Sequence, residues 1–174
     1  MATLRTTVTY LEMTDPSELQ RAAAADPRAT IVEIHNCTVS FYRYLYAEVG
    51  RHYHWVERRR WSDERLATHL ADPNVRIWLL LFEGCPAGYV ELFRDPDGDV
   101  EIAYFGLLPE FHGRGLGKQL LVTAVELAWA STPRPSRVWL HTCDLDAPQA
   151  LANYVARGFR PYKTDEEAIE TIDE

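Results

Sequence analysis

Three glycines at alternate positions, Gly113, Gly115 and Gly117, stand between a stretch that reads as a strand and one that reads as a helix. Without Cβ atoms, such a run turns sharply and can present several main-chain N–H groups together. A helix opening at its end adds unpaired amides and a positive dipole end. Arg114 and Lys118 add mobile positive charge. The segment therefore suits a phosphate-bearing ligand, and its spacing narrows the choice. A P-loop would need glycine where His112 stands and Ser or Thr where Gln119 stands, so it fails. A dinucleotide fingerprint started at Gly113 or Gly115 puts its third glycine on Lys118 or Leu120, so it fails too.

The surrounding pattern fixes the fold class. Three strands come in a row: 75–82 (VRIWLLLF), 87–93 (AGYVELF) and 99–108 (DVEIAYFGLL). The first is apolar throughout, as a central strand buried on both faces would be. Asp95-Pro96-Asp97-Gly98 makes a turn between the other two. A helix over roughly 115–130 follows, with Leu120, Leu121, Ala124, Val125 and Ala128 on one face, then a strand at 136–142. Upstream lie strand-like residues 6–13, a short helix over 16–25, a strand at 29–35 and a helix over 38–49. Residues 51–61 read as a loop, and a second helix starts at a Ser62 cap. Downstream, Asp146 is placed to cap a helix that holds Pro148 in its first turn and ends at Gly158. A strand at 159–163 follows, and 166–172 is either an edge strand or an acidic tail. Antiparallel hairpins followed by a strand–helix–strand crossover make a mixed-sheet α/β layer protein.

Composition excludes several functions. Net charge is −8, with six acids and one lysine from Lys163 onward. That balance disfavours nucleic acid or an anionic membrane as partner. The longest apolar run, Ile77 to Phe82, is far short of the about 20 residues a spanning helix needs. The first twenty residues carry Arg5, Glu12, Asp15 and Glu18 and no apolar h-region, so no secretory signal is expected. Cys37, Cys85 and Cys143 are odd in number and far apart, which fits a reducing, cytoplasmic setting and neither a disulfide framework nor a Cys-x-x-Cys metal site. His52 and His54 lack further metal ligands nearby, so no metal is expected. The 174 residues make one domain.

With its strand before and helix after, His112-Gly113-Arg114-Gly115-Leu116-Gly117 resembles the Gln/Arg-x-x-Gly-x-Gly/Ala signature of the GNAT superfamily of acetyl-coenzyme A dependent N-acetyltransferases. A second match, Tyr154-Val155-Ala156-Arg157-Gly158-Phe159, is similar to the family's Y-x-x-x-G-F, and the expected helix, strand and helix separate the two. The resemblance covers about 29–163, leaving 1–28 as an N-terminal extension and 164–174 as an acidic C-terminal strand or tail. His112 stands where Gln or Arg is usual, and Ala147 where many members carry asparagine.

The resemblance implies a mixed, mostly antiparallel sheet with a splayed parallel pair, here 99–108 and 136–142, and acetyl-CoA lying between them. It implies pantetheine pairing at Leu107 and Leu108, and a pyrophosphate site over His112, Gly113, Arg114, Gly115, Leu116, Gly117 and Lys118. Glu101, fourteen residues before Gly115, resembles the catalytic glutamate of histone-acetylating members, and Tyr154 resembles the general acid. His141 is the second candidate base, and Glu91 a weaker one. Arg58-Arg59-Arg60, flanked by Trp55 and Trp61, reads as a solvated basic turn near the acceptor mouth. The acceptor implied is a primary amine on a small molecule or peptide, and a homodimer is admitted because members often pair. The alternatives are a catalytically inactive CoA-binding sensor or interaction module, and a transferase using a longer acyl-CoA. Cys143 is the thiol nearest the expected cleft, but no histidine partner for a covalent route is evident.

Overall fold

The computed structural model describes residues 3–21 and 24–170. Its frame is a hairpin ladder laid down in chain order. β2 (Ala29–Ile34), β3 (Val75–Phe82), β4 (Cys85–Arg94) and β5 (Val100–Leu107) are antiparallel neighbours. The apolar run of β3 is buried on both faces because helices cover one side and the other alike. The turn at 95–98 forms as its residues require: Asp95 Oδ1 accepts from the amides of Asp97 and Asp99, both at 3.0 Å, and Gly98 takes φ +87°.

β5 then runs parallel to β6 (Val138–Cys143), across α3 (Leu116–Trp129). This is the one parallel pair among the described residues, and it is short: Val100 faces Val138 and Glu101 faces Trp139. Beyond these two positions the strands part. β1 (Thr3–Met13) lies between β6 and β7 (Arg160–Glu170), antiparallel to both. The order across the seven-stranded sheet is β2-β3-β4-β5-β6-β1-β7.

Two apolar layers hold the helices. On one face α3 buries Leu116, Leu120, Leu121, Ala124, Val125, Ala128 and Trp129 against β4, β5 and β6. A fully buried Leu contributes about 1.5–3 kcal/mol. On the other face lie α1 (Val39–Val49) and α2 (Asp63–Leu70). Their starts are capped: Thr38 Oγ1 accepts from Phe41 N at 3.3 Å, and Ser62 Oγ from Arg65 N at 3.2 Å. α1 sits hard on β5, since a Cβ at Gly106 would lie 2.5 Å from Val49 Cγ1.

Two local expectations need correction, and a third, left open between strand and tail, is decided for the strand. The helix expected over 16–25 is a single 3-10 turn, Pro16–Glu18, boxed by Asp15 and Glu18. Residues 19–21, 24 and 25 form no helix, and 22–23 lie outside the described residues. Asp146 does not cap α4 (Ala150–Ala156). Its carboxylate instead accepts from Thr142 Oγ1 at 2.6 Å and Cys143 N at 3.0 Å, because the loop folds back on the end of β6. The acidic stretch continues β7 as far as Glu170, paired to β1 from Thr3 onward; 171–174 lie outside the described residues.

Candidate active site

The glycine loop begins where β5 ends. A 3-10 turn, Pro109–Phe111, carries the chain round, and Gly113 and Gly115 follow with φ +76° and +78°. L-residues avoid that region, which accounts for glycine at both positions. Gly115 is the N-cap of α3. The amides from Gly113 to Lys118 have no main-chain acceptor among the described residues; the first that does is Gln119, which donates to Gly115 O. A Cβ at Gly113 or Gly115 would meet nothing within 4 Å, so the glycines leave open space beside those amides. Free amides at a helix start, with room next to them, suit a phosphate group.

That loop lines a cleft of about 780 Å³ that enters the gap between β5 and β6. The volume is typical of a site for an organic ligand rather than for an anion alone. Of the residues expected to hold a cofactor, Leu107, His112, Gly113, Gly115, Gly117 and Lys118 line the cleft. Leu108, Arg114 and Leu116 do not. Leu108 is buried and gives its amide to Ala87 O at 2.8 Å. Arg114 lies over the rings of Phe82 and Phe111, and Leu116 is a core residue of α3. His112 turns inward, its Nε2 3.1 Å from Leu107 O, which ties the loop to the end of β5.

Tyr154 of α4 lines the cleft, its ring edge-on to Phe105 and Phe159 at 6.3 Å each. Burial, reinforced by Asp146, pushes its phenol well above the usual value, so it holds its proton. Cys143 also lines the cleft, and burial, with Asp146, raises its thiol pKa too. A thiol kept protonated, with no histidine hydrogen-bonded to it among the described residues, is a poor nucleophile.

Glu101 stands at the apex, the last position paired before the strands part. Its side chain is 15% exposed and does not itself line the cleft. Its Oε1 lies 3.5 Å from Nδ1 of His141, which does. The register explains the meeting: Glu101 is opposite Trp139, and His141 follows on the same face of β6.

The loop between α1 and α2 supplies Tyr53, His54, Trp55, Val56 and Glu57 to the cleft wall. Trp55 packs against Gly50, and its ring centroid lies 5.3 Å from Tyr46 and 5.0 Å from Tyr104. Tyr104 donates to Glu57 Oε2 at 3.0 Å. The arginines of that segment turn elsewhere. Arg58 is buried, not solvated: its Nη2 lies 3.3 Å from Glu91, and its guanidinium covers the Trp61 ring at 3.8 Å. Arg58 and Arg59 line a separate hollow with Arg43 and Arg51. Glu91 is fully buried among Arg58, Tyr42 and His69, whose Nε2 is 2.7 Å away. Burial alone would raise its pKa, but those three partners together hold it below the usual value. Glu91 is thus a structural anchor for the loop that walls the cleft.

Sequence reasoning did not single out Glu57, Tyr104, Asn153 or Glu167, all on the cleft wall. Asn153 could have been noticed beside Tyr154. Glu167 gives no local signal, since its position depends on β7 pairing with β1. No cluster of three or more metal-ligating side chains occurs among the described residues, and no helix among them is long and apolar enough to cross a membrane.

Comparison with known proteins agrees with this geometry. The chain is 37% identical over 81 residues to uncharacterized N-acetyltransferases of Mycobacterium tuberculosis and Mycobacterium bovis. The match takes in 45% of this chain and spans about half, 49%, of those relatives. A functionally unknown conserved protein from Staphylococcus epidermidis superposes with a TM-score of 0.68 at 16% identity, over 98% of this chain and 64% of that one. A GCN5-related N-acetyltransferase from Kribbella flavida gives 0.64 at 18%, over 95% and 58%. At such identities these two speak for the fold alone. The model of the acetyltransferase (GNAT) family matches residues 31–159, most of the chain and both glycine motifs, and the chain belongs to that family.

Proposed function

We propose that the protein transfers the acetyl group of acetyl-CoA directly to a primary amine. The observation that carries this reading is the run of unpartnered amides at Gly113–Lys118, opening into a cleft that reaches the fork of β5 and β6. Acetyl-CoA would supply a thioester as the activated acyl group. Gly113, Gly115, Gly117 and Lys118 are the residues to hold its phosphates.

The acceptor must shed a proton. An alkylamine with a pKa near 10 is about 0.1% neutral at pH 7, a barrier of about 4 kcal/mol. Glu101 and His141 stand at the fork to take that proton, and Tyr154 holds one to give to the departing thiolate. The guarded thiol of Cys143 favours direct transfer over an acyl-enzyme. The charged lining is divided: Lys118 and Arg157 come from the helix ends, Glu57 and Asp146 from loops and Glu167 from β7. Glu57, bonded to Tyr104 in a wall that also holds Tyr53 and Trp55, and Glu167 on the side of His141 favour a cationic acceptor, as a protonated amine is. With Arg58 and Arg59 turned to another hollow, their charge does not argue for an acidic one.

The test is CoA release from acetyl-CoA with polyamines, aminoglycosides, amino acids and peptide N-termini. Saturable turnover with one class supports the reading. Tight CoA binding without turnover on any amine would replace it with a CoA-binding module.

A further inference from the structure

We infer that His141 is the group that takes the proton from the acceptor amine, and that Glu101 acts behind it as its positioning residue. The inference rests on the acetyl-transfer reading and concerns which atom receives the proton.

Three observations point to the pair. The carboxylate and the imidazole come from the two strands that form the fork, and only the imidazole reaches the cleft wall. His141 is 46% exposed along its side chain, Glu101 only 15%. Nδ1 faces the carboxylate at 3.5 Å, while Nε2 has no hydrogen-bond partner among the described residues. The ring is also held from its other side, by Tyr10 of β1 at 5.6 Å between centroids. An imidazole fixed by a carboxylate at one nitrogen and left open at the other has a defined tautomer and a defined proton-accepting atom. A separation of 3.5 Å is a loose contact, of the kind that tightens when substrate closes a site.

The charged surroundings agree. Glu101 is the main influence raising the His141 pKa above its ordinary value, against burial, and Glu167 of β7 and Asp146 of the following loop add to it. Tyr10 and Cys143 also lie on this side, and both keep their protons at neutral pH, because burial, with neighbouring carboxylates, raises their pKa values; beyond the Tyr10 ring, 4.8 Å from its centroid, stands Lys163, which is paired with Asp165. The imidazolium that forms after proton transfer therefore faces the carboxylates of Glu101, Glu167 and Asp146, with Lys163 held behind the Tyr10 ring.

The step balances. The ammonium gives one proton to neutral His141 Nε2, and the neutral amine attacks the thioester carbon. A C–N bond forms and the C–S bond breaks. The second proton leaves the nitrogen as the amide forms. Tyr154 gives its proton to the departing CoA sulfur, the second proton from nitrogen restores the Tyr154 phenol, and the first passes from His141 to solvent.

The test combines NMR with pH–rate profiles on the full chain. The His141 resonance is assigned by its loss in His141→Gln, and its pKa is read in wild type and in Glu101→Gln. Removing the carboxylate should lower that pKa. The acid limb of kcat/KM for one amine, at saturating acetyl-CoA, should move to lower pH by the same amount, with about a tenfold lower plateau. His141→Gln should lose the limb and about 10²–10³ in kcat, with the Kd for CoA unchanged within threefold. If His141→Gln keeps both limb and rate while Glu101→Gln loses them, Glu101 is the base and the inference is overturned. An identical His141 pKa in wild type and Glu101→Gln would overturn the pairing, whatever the protein does with amines. A pKa that shifts as expected in a wild-type protein releasing no CoA would instead sink the acetyl-transfer reading, and the catalytic claim with it.

Discussion

Replacing Gly115 with alanine separates what the glycine does for the fold from what it does for a ligand. Gly115 has φ +78°, and an added Cβ would meet nothing within 4 Å. The substitution therefore creates no clash, and its folding cost is the strain of a left-handed L-residue, about 1–2 kcal/mol. With an unfolding entropy of about 2.1 cal/mol/K per residue, a chain of this length loses about 3 °C of Tm per kcal/mol, so a fall of about 3–6 °C is expected. Gly98 provides the matched control. It has φ +87°, equally open surroundings and a place in the β4–β5 turn, off the cleft wall. Gly98→Ala should show the same fall in Tm. Only Gly115→Ala should also weaken CoA, because its methyl enters the space beside the free amides. Loss of one amide contact to a charged phosphate is worth about 1.5–3 kcal/mol, or about 10–150-fold in Kd. Thermal melts and calorimetric titration with CoA read the two effects separately. If both variants bind CoA within threefold of wild type, the amides of residues 113–118 do not hold the phosphates.

Tyr154→Phe should lower kcat by about tenfold to a hundredfold while leaving KM for acetyl-CoA nearly unchanged, as measured by CoA release; an unchanged kcat removes Tyr154 as the acid. Glu91→Ala strands the buried Arg58 guanidinium and should destabilise by about 3–5 kcal/mol in urea unfolding, whereas less than about 1 kcal/mol would deny the anchor role. The same carboxylate links stability to acid. Its folded pKa lies below its ordinary value of 4.5, so its contribution is complete above that value and is lost as pH falls through the folded pKa. Urea midpoints of wild type should therefore drop below pH 4.5 more steeply than those of Glu91→Ala. Gly158→Ala would put a Cβ 2.0 Å from Glu18 O at φ +106°, and should cost more than Gly98→Ala by at least about 1 kcal/mol.

Much of the framework was legible because it is written locally. β3 is an apolar run closed by turn residues, and it occupies 75–82 as read. The buried face of α3 includes all five residues its spacing selected. The parallel pair falls on the two strands that the family resemblance names. What failed depends on partners distant in sequence. The alanine-rich stretch after Pro16 has helix propensity but, among its described residues, only Leu19 to bury, and one 3-10 turn forms at its start. Arg58 looks solvated in a run of three arginines, and only the fold reveals the buried Glu91 that draws it in. Glu101 and His141 were each visible as candidates. That one stands behind the other is a matter of strand register, which the sequence does not display.

The position of β1 bears on how the chain reaches this structure. Its ladder partners on β6 and β7 lie more than 120 residues further along. Closing loops of that length is slow, and such non-local contacts retard folding. On the ribosome this strand must wait for almost all the rest, with its unpaired edge exposed meanwhile. Until it docks, β6 has only two paired positions among the described residues to hold it, so the fork cannot become rigid before β1 arrives.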